Sequence, residues 1–217
     1  KKEDGYEVDA PTAILIEAKS GSILFEKNAD ELRAPSSMMK LMTAEVVFDA
    51  LKKGDIKLTD EFRISENTWR KGGAPSGGST MFAKLKSSIR LEDLIRGVII
   101  QSANDGAIIL AEGMAGSEEK FASEMNRRAS AIGLTKSIFK NPTGLPADGQ
   151  VVTVRELAML GMHIWRSYPE FYAIYSEPDF TWNKIAQRNR NPLLAMKIGA
   201  DGMKTGFTEA SGYAIVG

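Results

Sequence analysis

The sequence predicts an α/β fold of the α+β kind. An antiparallel sheet is drawn from both chain ends, and a helical subdomain is inserted between them, with a cleft where the two parts meet. Three observations predict it. Short β-prone runs stand near the ends, at 13–17, 22–26 and 212–216. Apolar runs of helical length fill the middle, at 38–51, 91–101, 107–115 and 154–165. Polar and glycine-rich loops at 71–80, 141–146 and 189–192 punctuate the pattern.

Residues 1–10 are charged and are expected to be frayed. Residues 13–17 and 22–26 form a hairpin about a turn at Gly21. The helix at 38–51 is apolar almost all round, which predicts burial on most sides, and Gly54 ends it. Residues 58–64 are short and extended. The stretch 71–80 nearly matches a phosphate-cradling loop, with Gly73 and Gly78 correctly spaced. Ser79 replaces the phosphate-binding lysine and no strand immediately precedes Gly73, so a surface loop beside a site is the better reading. A helix at 91–101 breaks at Ser102-Ala103-Asn104-Asp105, and the next begins with Asn104 or Asp105 as its N-cap. Ser117 opens a further helix that Gly133 stops. Thr153-Val154-Arg155-Glu156 reads as a capping box. Phe180-Thr181-Trp182 is extended, and 212–216 is a strand.

Composition excludes several kinds of chemistry. The chain of 217 residues is 43% hydrophobic and 26% charged, and Lys+Arg equals Asp+Glu at 28 each. It is long enough for one sizeable core, and no net field points to nucleic acid. No apolar run reaches membrane-spanning length. No signal peptide is visible at Lys1, which leaves the compartment open. There is no cysteine and one histidine. A thiol nucleophile, a disulfide framework and a multi-histidine or thiolate metal centre are therefore excluded, and no cofactor is suggested. His163 lies in an apolar helical run and reads as structural. A serine enzyme built from this chain would favour lysine as its base.

Ser37 and Lys40 stand three apart at the start of the first helix, so hydroxyl and amine share a face. Burial and neighbouring cations can lower a lysine's pKa enough for it to act as a base. Taken singly, Ser37-x-x-Lys40 is also an N-cap serine with a surface lysine, Ser102-x-Asn104 a pair of interhelical caps, and Lys204-Thr205-Gly206 a turn before a strand. Together, in this order and these contexts, they form the motif set of β-lactamases and penicillin-binding proteins.

On these motifs the chain resembles the low-molecular-mass penicillin-binding proteins that are D-alanyl-D-alanine carboxypeptidases. The likeness runs from about residue 13 to 217. It includes Ala34-Pro35-Ser36-Ser37, Asp93-Leu94-Ile95-Arg96-Gly97, Asn141-Pro142-Thr143-Gly144-Leu145, Asn189-Arg190-Asn191-Pro192 and Asp201-Gly202-Met203-Lys204-Thr205-Gly206. The resemblance implies a β-lactamase/transpeptidase-like fold and an exported, periplasmic or cell-envelope enzyme that removes the terminal D-Ala from peptidoglycan pentapeptides. It implies Ser37 as nucleophile, Lys40 as base and Ser102 as proton relay to the leaving amine. Asn104 would hold the acyl-side amide. Lys204 and Thr205 would hold the substrate carboxylate, with Arg190 as a weaker aid. Gly206 would leave room for substrate, and the N–H groups of Ser37 and Phe207 would form the oxyanion hole. β-Lactams would acylate Ser37, and no cofactor or nucleic acid is implied.

The sequence departs from that pattern at Met39, commonly threonine, at Phe207, usually histidine, and at Ala103, usually glycine. Residues 1–217 read as one catalytic domain with its helical insertion at about 37–165. The last strands and helix of the family fold, any C-terminal β domain and any membrane-associating tail are expected to lie outside it. An unpaired sheet edge near Val216 is therefore expected. The alternatives on one scaffold are a β-lactamase, an endopeptidase and a non-catalytic cell-wall peptide binder. The Glu-x-x-Leu-Asn motif of the class A β-lactamases does not follow Glu156.

Overall fold

The computed structural model describes residues 5–217, and the fraying expected of residues 1–4 lies outside them. β1 (Ala13–Ile16) and β2 (Ile23–Lys27) pair antiparallel around Gly21, whose φ of 76° suits only a residue free of a Cβ. A 3-10 turn at Ser36–Met39 feeds α1 (Lys40–Lys53), which ends where Gly54 turns left-handed at φ 80°. β3 (Glu61–Arg63) pairs with β4 (Ser88–Arg90) across an excursion containing α2 (Glu66–Gly72). The helical centre is α3 (Leu91–Ile100), α4 (Asn104–Ala115), α5 (Glu118–Ala131) and α6 (Val154–Ser167), followed by the single turn α7 (Pro169–Tyr172). β5 (Asp179–Trp182) and β6 (Ile185–Arg188) form a hairpin, α8 (Pro192–Ala195) is one turn, and β7 (Lys204–Thr208) pairs antiparallel with β8 (Gly212–Val216).

Helices between terminal strands are thus observed as expected. The sheet itself is divided. Among the described residues β1–β2 and β7–β8 are separate hairpins with no ladder between them, and Val216 pairs only toward β7. Both hairpins line one cavity of about 910 Å³, with α6 as a third wall. The core lies below it, around α1, whose Leu41, Met42, Val47 and Phe48 are fully enclosed. The apolar surround expected of that helix is present.

Two sequence readings are corrected at the helix starts, and one strand is not read from the sequence at all. Neither Asn104 nor Asp105 is an N-cap. Ala103 takes that position without a side-chain cap, and both polar side chains are used elsewhere. Half of the capping box at 153–156 forms: Thr153 Oγ1 accepts from Glu156 N–H at 3.0 Å. The Glu156 carboxylate turns away to accept from Thr135 N–H (2.7 Å), Lys136 N–H (2.9 Å), Ser137 N–H (2.8 Å) and the Ser137 hydroxyl (2.5 Å). Three convergent N–H donors outbid one. The partner strand of residues 179–182, β6, has no apolar alternation and is not legible in the sequence; the pairing makes it.

A second buried carboxylate ties the helices together. Glu45 on α1 is fully enclosed and accepts from Arg128 of α5, from Tyr168 Oη at 3.1 Å, and lies 3.2 Å from His163 Nε2 of α6. Burial pushes the Glu45 carboxyl up, and the His163 and Arg128 hydrogen bonds outweigh it, holding it below its usual value. His163 is therefore structural, as its apolar setting suggests. Glu156→Ala is expected to leave the buried Ser137 N–H and the half-buried N–H groups of Thr135 and Lys136 without their acceptor and to cost about 2 kcal/mol, read as a lower urea midpoint with little change in slope.

Candidate functional site

Ser37 and Lys40 meet because the chain enters α1 through a 3-10 turn, in which side chains three apart eclipse one another. Ser36, at φ 49°, makes the tight entry. Lys40 Nζ lies 3.1 Å from Ser37 Oγ, 2.9 Å from Asn104 Oδ1 and 2.8 Å from the Thr143 carbonyl. Two of these neighbours, the amide oxygen and the carbonyl, can only accept. A neutral amine has two N–H bonds and one lone pair. With the N–H bonds directed at Asn104 and Thr143, the lone pair faces the Ser37 hydroxyl, the one neighbour able to donate to it.

The electrostatics favour that neutral state. Lys40 is 1% exposed. Burial first, then the charges of Lys204 and Arg190, push its amine well below the ordinary 10.5, against a smaller opposing pull from Asp105. Across the cleft, Lys204 Nζ donates to Ser102 Oγ at 3.0 Å and to the Thr205 carbonyl at 2.9 Å. A charged ammonium has three donors, so one remains for a ligand. Burial, then the charge of Arg190, bring Lys204 down to about 7. Ser102 sits between α3 and α4 at φ 56°, a left-handed turn that swings its hydroxyl toward β7.

The other sequence-predicted residues surround this pair of lysines. Asn104 gives Oδ1 to Lys40 and directs Nδ2 at Gly78, where a Cβ would stand 3.0 Å away. β7 runs directly over the 3-10 turn. A Cβ on Gly206 would collide with Ser36 Oγ and lie 3.1 Å from Ser37 N, so only glycine permits this approach. Thr205 and Phe207 share the opposite face of the strand; Phe207 is exposed and its ring lies 4.5 Å from that of Tyr213. Arg190 is exposed at the mouth and bonded to Gln187 Oε1 at 3.3 Å. Its charge reaches both lysines, but it makes no hydrogen bond to either among the described residues. Met39 is fully buried and belongs to the apolar core cluster.

The structure gives parts in the site to residues for which the sequence suggested another role or none. Asp105, fully enclosed, accepts from Thr80 Oγ1 at 2.6 Å and from the N–H groups of Met81 and Ala83 at 3.0 Å, anchoring the segment beside Asn104. Gly72 packs so closely on the backbone of Asn104 and Asp105 that a Cβ would lie 2.6 Å from Asp105 N. Residues 71–80 are thus shaped by the site, with a 3-10 turn at Ala74–Ser76. Thr143 supplies a carbonyl to Lys40, a role that no side-chain pattern announces. The 910 Å³ cavity does not include Ser37, Lys40, Ser102 or Lys204 in its lining and is distinct from this cleft.

A family model described as D-alanyl-D-alanine carboxypeptidase matches residues 1–217. The chain is 46% identical over 211 residues to D-alanyl-D-alanine carboxypeptidase DacC of Escherichia coli, covering 96% of this chain and 53% of the relative. The chain thus spans about half the length of the curated relatives it matches. Penicillin binding protein 5 from Haemophilus influenzae superposes with a TM-score of 0.93 at 42% identity, covering 97% of this chain and 61% of that one. Penicillin-binding protein D2 from Listeria monocytogenes, solved in its ampicillin-bound form, superposes with a TM-score of 0.83 at 28% identity, covering 97% and 84%.

The Ser36 hydroxyl, packed between Gly206 and the turn, has no hydrogen-bond partner among the described residues. Ser36→Ala removes a buried polar group at no loss of a bond. It is expected to raise stability by about 1 kcal/mol, read as a higher thermal midpoint.

Proposed function

The chain belongs to the D-alanyl-D-alanine carboxypeptidase family, and on that premise we propose that it is a serine enzyme that removes the terminal D-Ala from peptidoglycan stem peptides through an acyl-enzyme. The observation that carries the reading is the Lys40 amine: buried, held below its ordinary pKa, and bonded so that its lone pair faces Ser37.

Ser37 Oγ attacks the penultimate D-Ala carbonyl while its proton passes to Lys40. The carbonyl oxygen becomes an oxyanion between the N–H groups of Ser37 and Phe207; the contact of β7 with the turn supports this pairing. The C–N bond then breaks as Lys40 gives up the proton it took, which passes by way of the Ser102 hydroxyl to the leaving D-Ala amine; the Lys204 ammonium, bonded to Ser102, keeps its own protons. Asn104 Nδ2 holds the acyl-side carbonyl. The remaining Lys204 N–H and the Thr205 hydroxyl hold the substrate carboxylate, with Arg190 adding charge at the mouth. Gly206 keeps the strand close to the nucleophile. Water then attacks the ester, Lys40 taking its proton; the bond between Ser37 Oγ and the acyl carbon breaks, Lys40 returns the proton to Ser37 Oγ, and the shortened peptide leaves.

A β-lactam carries the same carboxylate and a strained amide, and is read here as an acylating inhibitor of Ser37. Glu156, with its oxygens engaged by residues 135–137, is not free to activate a deacylating water, which favours a slow-clearing adduct over β-lactamase action. The substrate puts the enzyme in the periplasm or cell envelope. No helix among the described residues is long and apolar enough to cross a membrane. The single core supports reading residues 1–217 as one catalytic domain, and the cavity between β1–β2 and β7–β8 supports further strands between those hairpins.

Mass spectrometry after penicillin treatment is expected to find one adduct on Ser37 that persists for minutes. Ser37→Ala should abolish both the adduct and D-Ala release while the fold survives. An adduct elsewhere, or clearance within seconds, would overturn the assignment. The pH dependence follows from Lys204. Its folded pKa, about 7 against an ordinary 10.5, means that the charge holding the substrate carboxylate is present at lower pH and is lost as pH rises. The alkaline limb of kcat/KM, which reports the free enzyme, is therefore expected at about 7, and it should flatten for a substrate whose terminal carboxylate is a methyl ester.

A further inference from the structure

Two side chains one turn apart on α1 grip two consecutive carbonyls of one loop. Lys40 Nζ donates to the Thr143 carbonyl at 2.8 Å, and Thr43 Oγ1 donates to the Pro142 carbonyl at 2.7 Å. Thr43 is fully buried. A threonine inside a helix ordinarily bonds back to its own carbonyls; this one spends its only hydroxyl proton on the loop instead.

The loop is otherwise fastened from within. Asn141 Oδ1 accepts from Thr143 N–H (3.2 Å), Thr143 Oγ1 (3.1 Å) and Gly144 N–H (2.9 Å). Gln150 Oε1 accepts from Lys140 N–H and Asn141 N–H at 3.0 and 3.2 Å. Gly144, at φ 84°, passes so close to the Ser36 carbonyl that a Cβ would collide with it. These bonds set the loop's shape. Thr43 is the side chain of α1, besides Lys40 itself, that hydrogen-bonds the loop and so sets its height over the helix. Pro142 has no N–H to offer, so its carbonyl is the available handle.

We propose that Thr43 is a positioning residue of the acyl-transfer site, holding the Thr143 carbonyl against Lys40 so that the amine's lone pair is confined toward Ser37. The inference rests on the carboxypeptidase reading for its consequence in turnover, but not for its geometry. Without the Pro142 bond the loop lifts, and Lys40 loses one of its two obligate acceptors. Its remaining N–H is then free to turn toward Ser37, and the lone pair away. The ammonium form loses more than the neutral amine does, since a carbonyl binds a charged donor more strongly, so the amine's titration moves to lower pH. The charged groups facing Lys40 are Lys204 on β7, Arg190 before α8 and Asp105 on α4. Thr43 makes no hydrogen bond to any of them, so those charges are unchanged by its replacement.

The test compares Thr43→Val, which keeps the shape and deletes the hydroxyl, with Thr43→Ser, which keeps the hydroxyl. Acylation of Ser37 by a labelled penicillin is followed across pH. Thr43→Val is expected to lower the plateau roughly tenfold and to move the acid limb to lower pH, and Thr43→Ser to restore both. A melting curve is run on each variant. If Thr43→Val melts lower but keeps the wild-type plateau and limb, the hydroxyl is merely structural and the proposal fails. The same comparison is made in a Ser37→Cys background with iodoacetamide as probe, where the pH dependence of alkylation reads thiolate formation at position 37, which responds to the charge and placement of the Lys40 amine beside it. A wild-type protein that penicillin does not acylate would count against the carboxypeptidase reading. The alkylation profiles would still decide the role of Thr43, an unshifted Thr43→Val profile overturning it.

Discussion

Everything in this structure that concerns reactivity depends on one buried amine. Lys40 is withdrawn from water and faced by the charges of Lys204 and Arg190, and it is bonded to two acceptors that cannot donate. Burial lowers the cost of losing its proton, and the acceptors decide where the lone pair points once the proton has gone. A lysine exposed at the same spacing from a serine would be charged and would rotate freely. The 3-10 entry to α1 brings the hydroxyl within 3.1 Å of the amine, and the rest of the fold supplies the burial and the acceptors that the proposed nucleophile and base require.

Fixing one amine in this way requires three distant segments to hold still, and buried carboxylates do much of that work. Asp105 gathers the segment at 80–83 against the start of α4, where Asn104 meets Lys40. Glu156 gathers residues 135–137, which lead into the loop carrying Thr143. Glu45 locks α1 to α5 and α6. Each carboxylate is enclosed, and its donors replace the water it gave up, without which it would be costly to bury. None of the three touches the nucleophile. They are scaffolding in charge-assisted hydrogen bonds, and they explain why a chain of balanced charge spends acidic residues in its interior.

Glycine plays the complementary part, allowing approach where the carboxylates hold. Gly206 lets β7 lie on the 3-10 turn, Gly72 lets α2 rest on the backbone of Asn104 and Asp105, and Gly144 passes the Ser36 carbonyl. A side chain at any of these positions would drive apart segments that must be in contact for Ser37, Lys40, Ser102 and Lys204 to share one cleft.

The sequence by itself carried most of the element types, the shared face of Ser37 and Lys40, and the apolar setting of His163, which rest on local spacing, helix punctuation and composition. The motifs Ser37-x-x-Lys40, Ser102-x-Asn104 and Lys204-Thr205-Gly206 carried the family resemblance, and it is that resemblance which implied a role for each residue. The sequence left β6 unread, because pairing rather than alternation makes that strand. It also gave Asn104, Asp105 and Glu156 local capping duties that distant partners override. The tertiary structure alone decided that the two terminal hairpins stand apart around a cavity, that Met39 is buried in the core, and that Lys40 and Thr43 hydrogen-bond the Thr143 and Pro142 carbonyls. Those facts depend on which groups lie within about 3 Å across sequence separations of up to about 100 residues, the range of a hydrogen bond, and on how much water is excluded around them. Neither quantity has a period or a motif; both exist only once the chain has closed on itself.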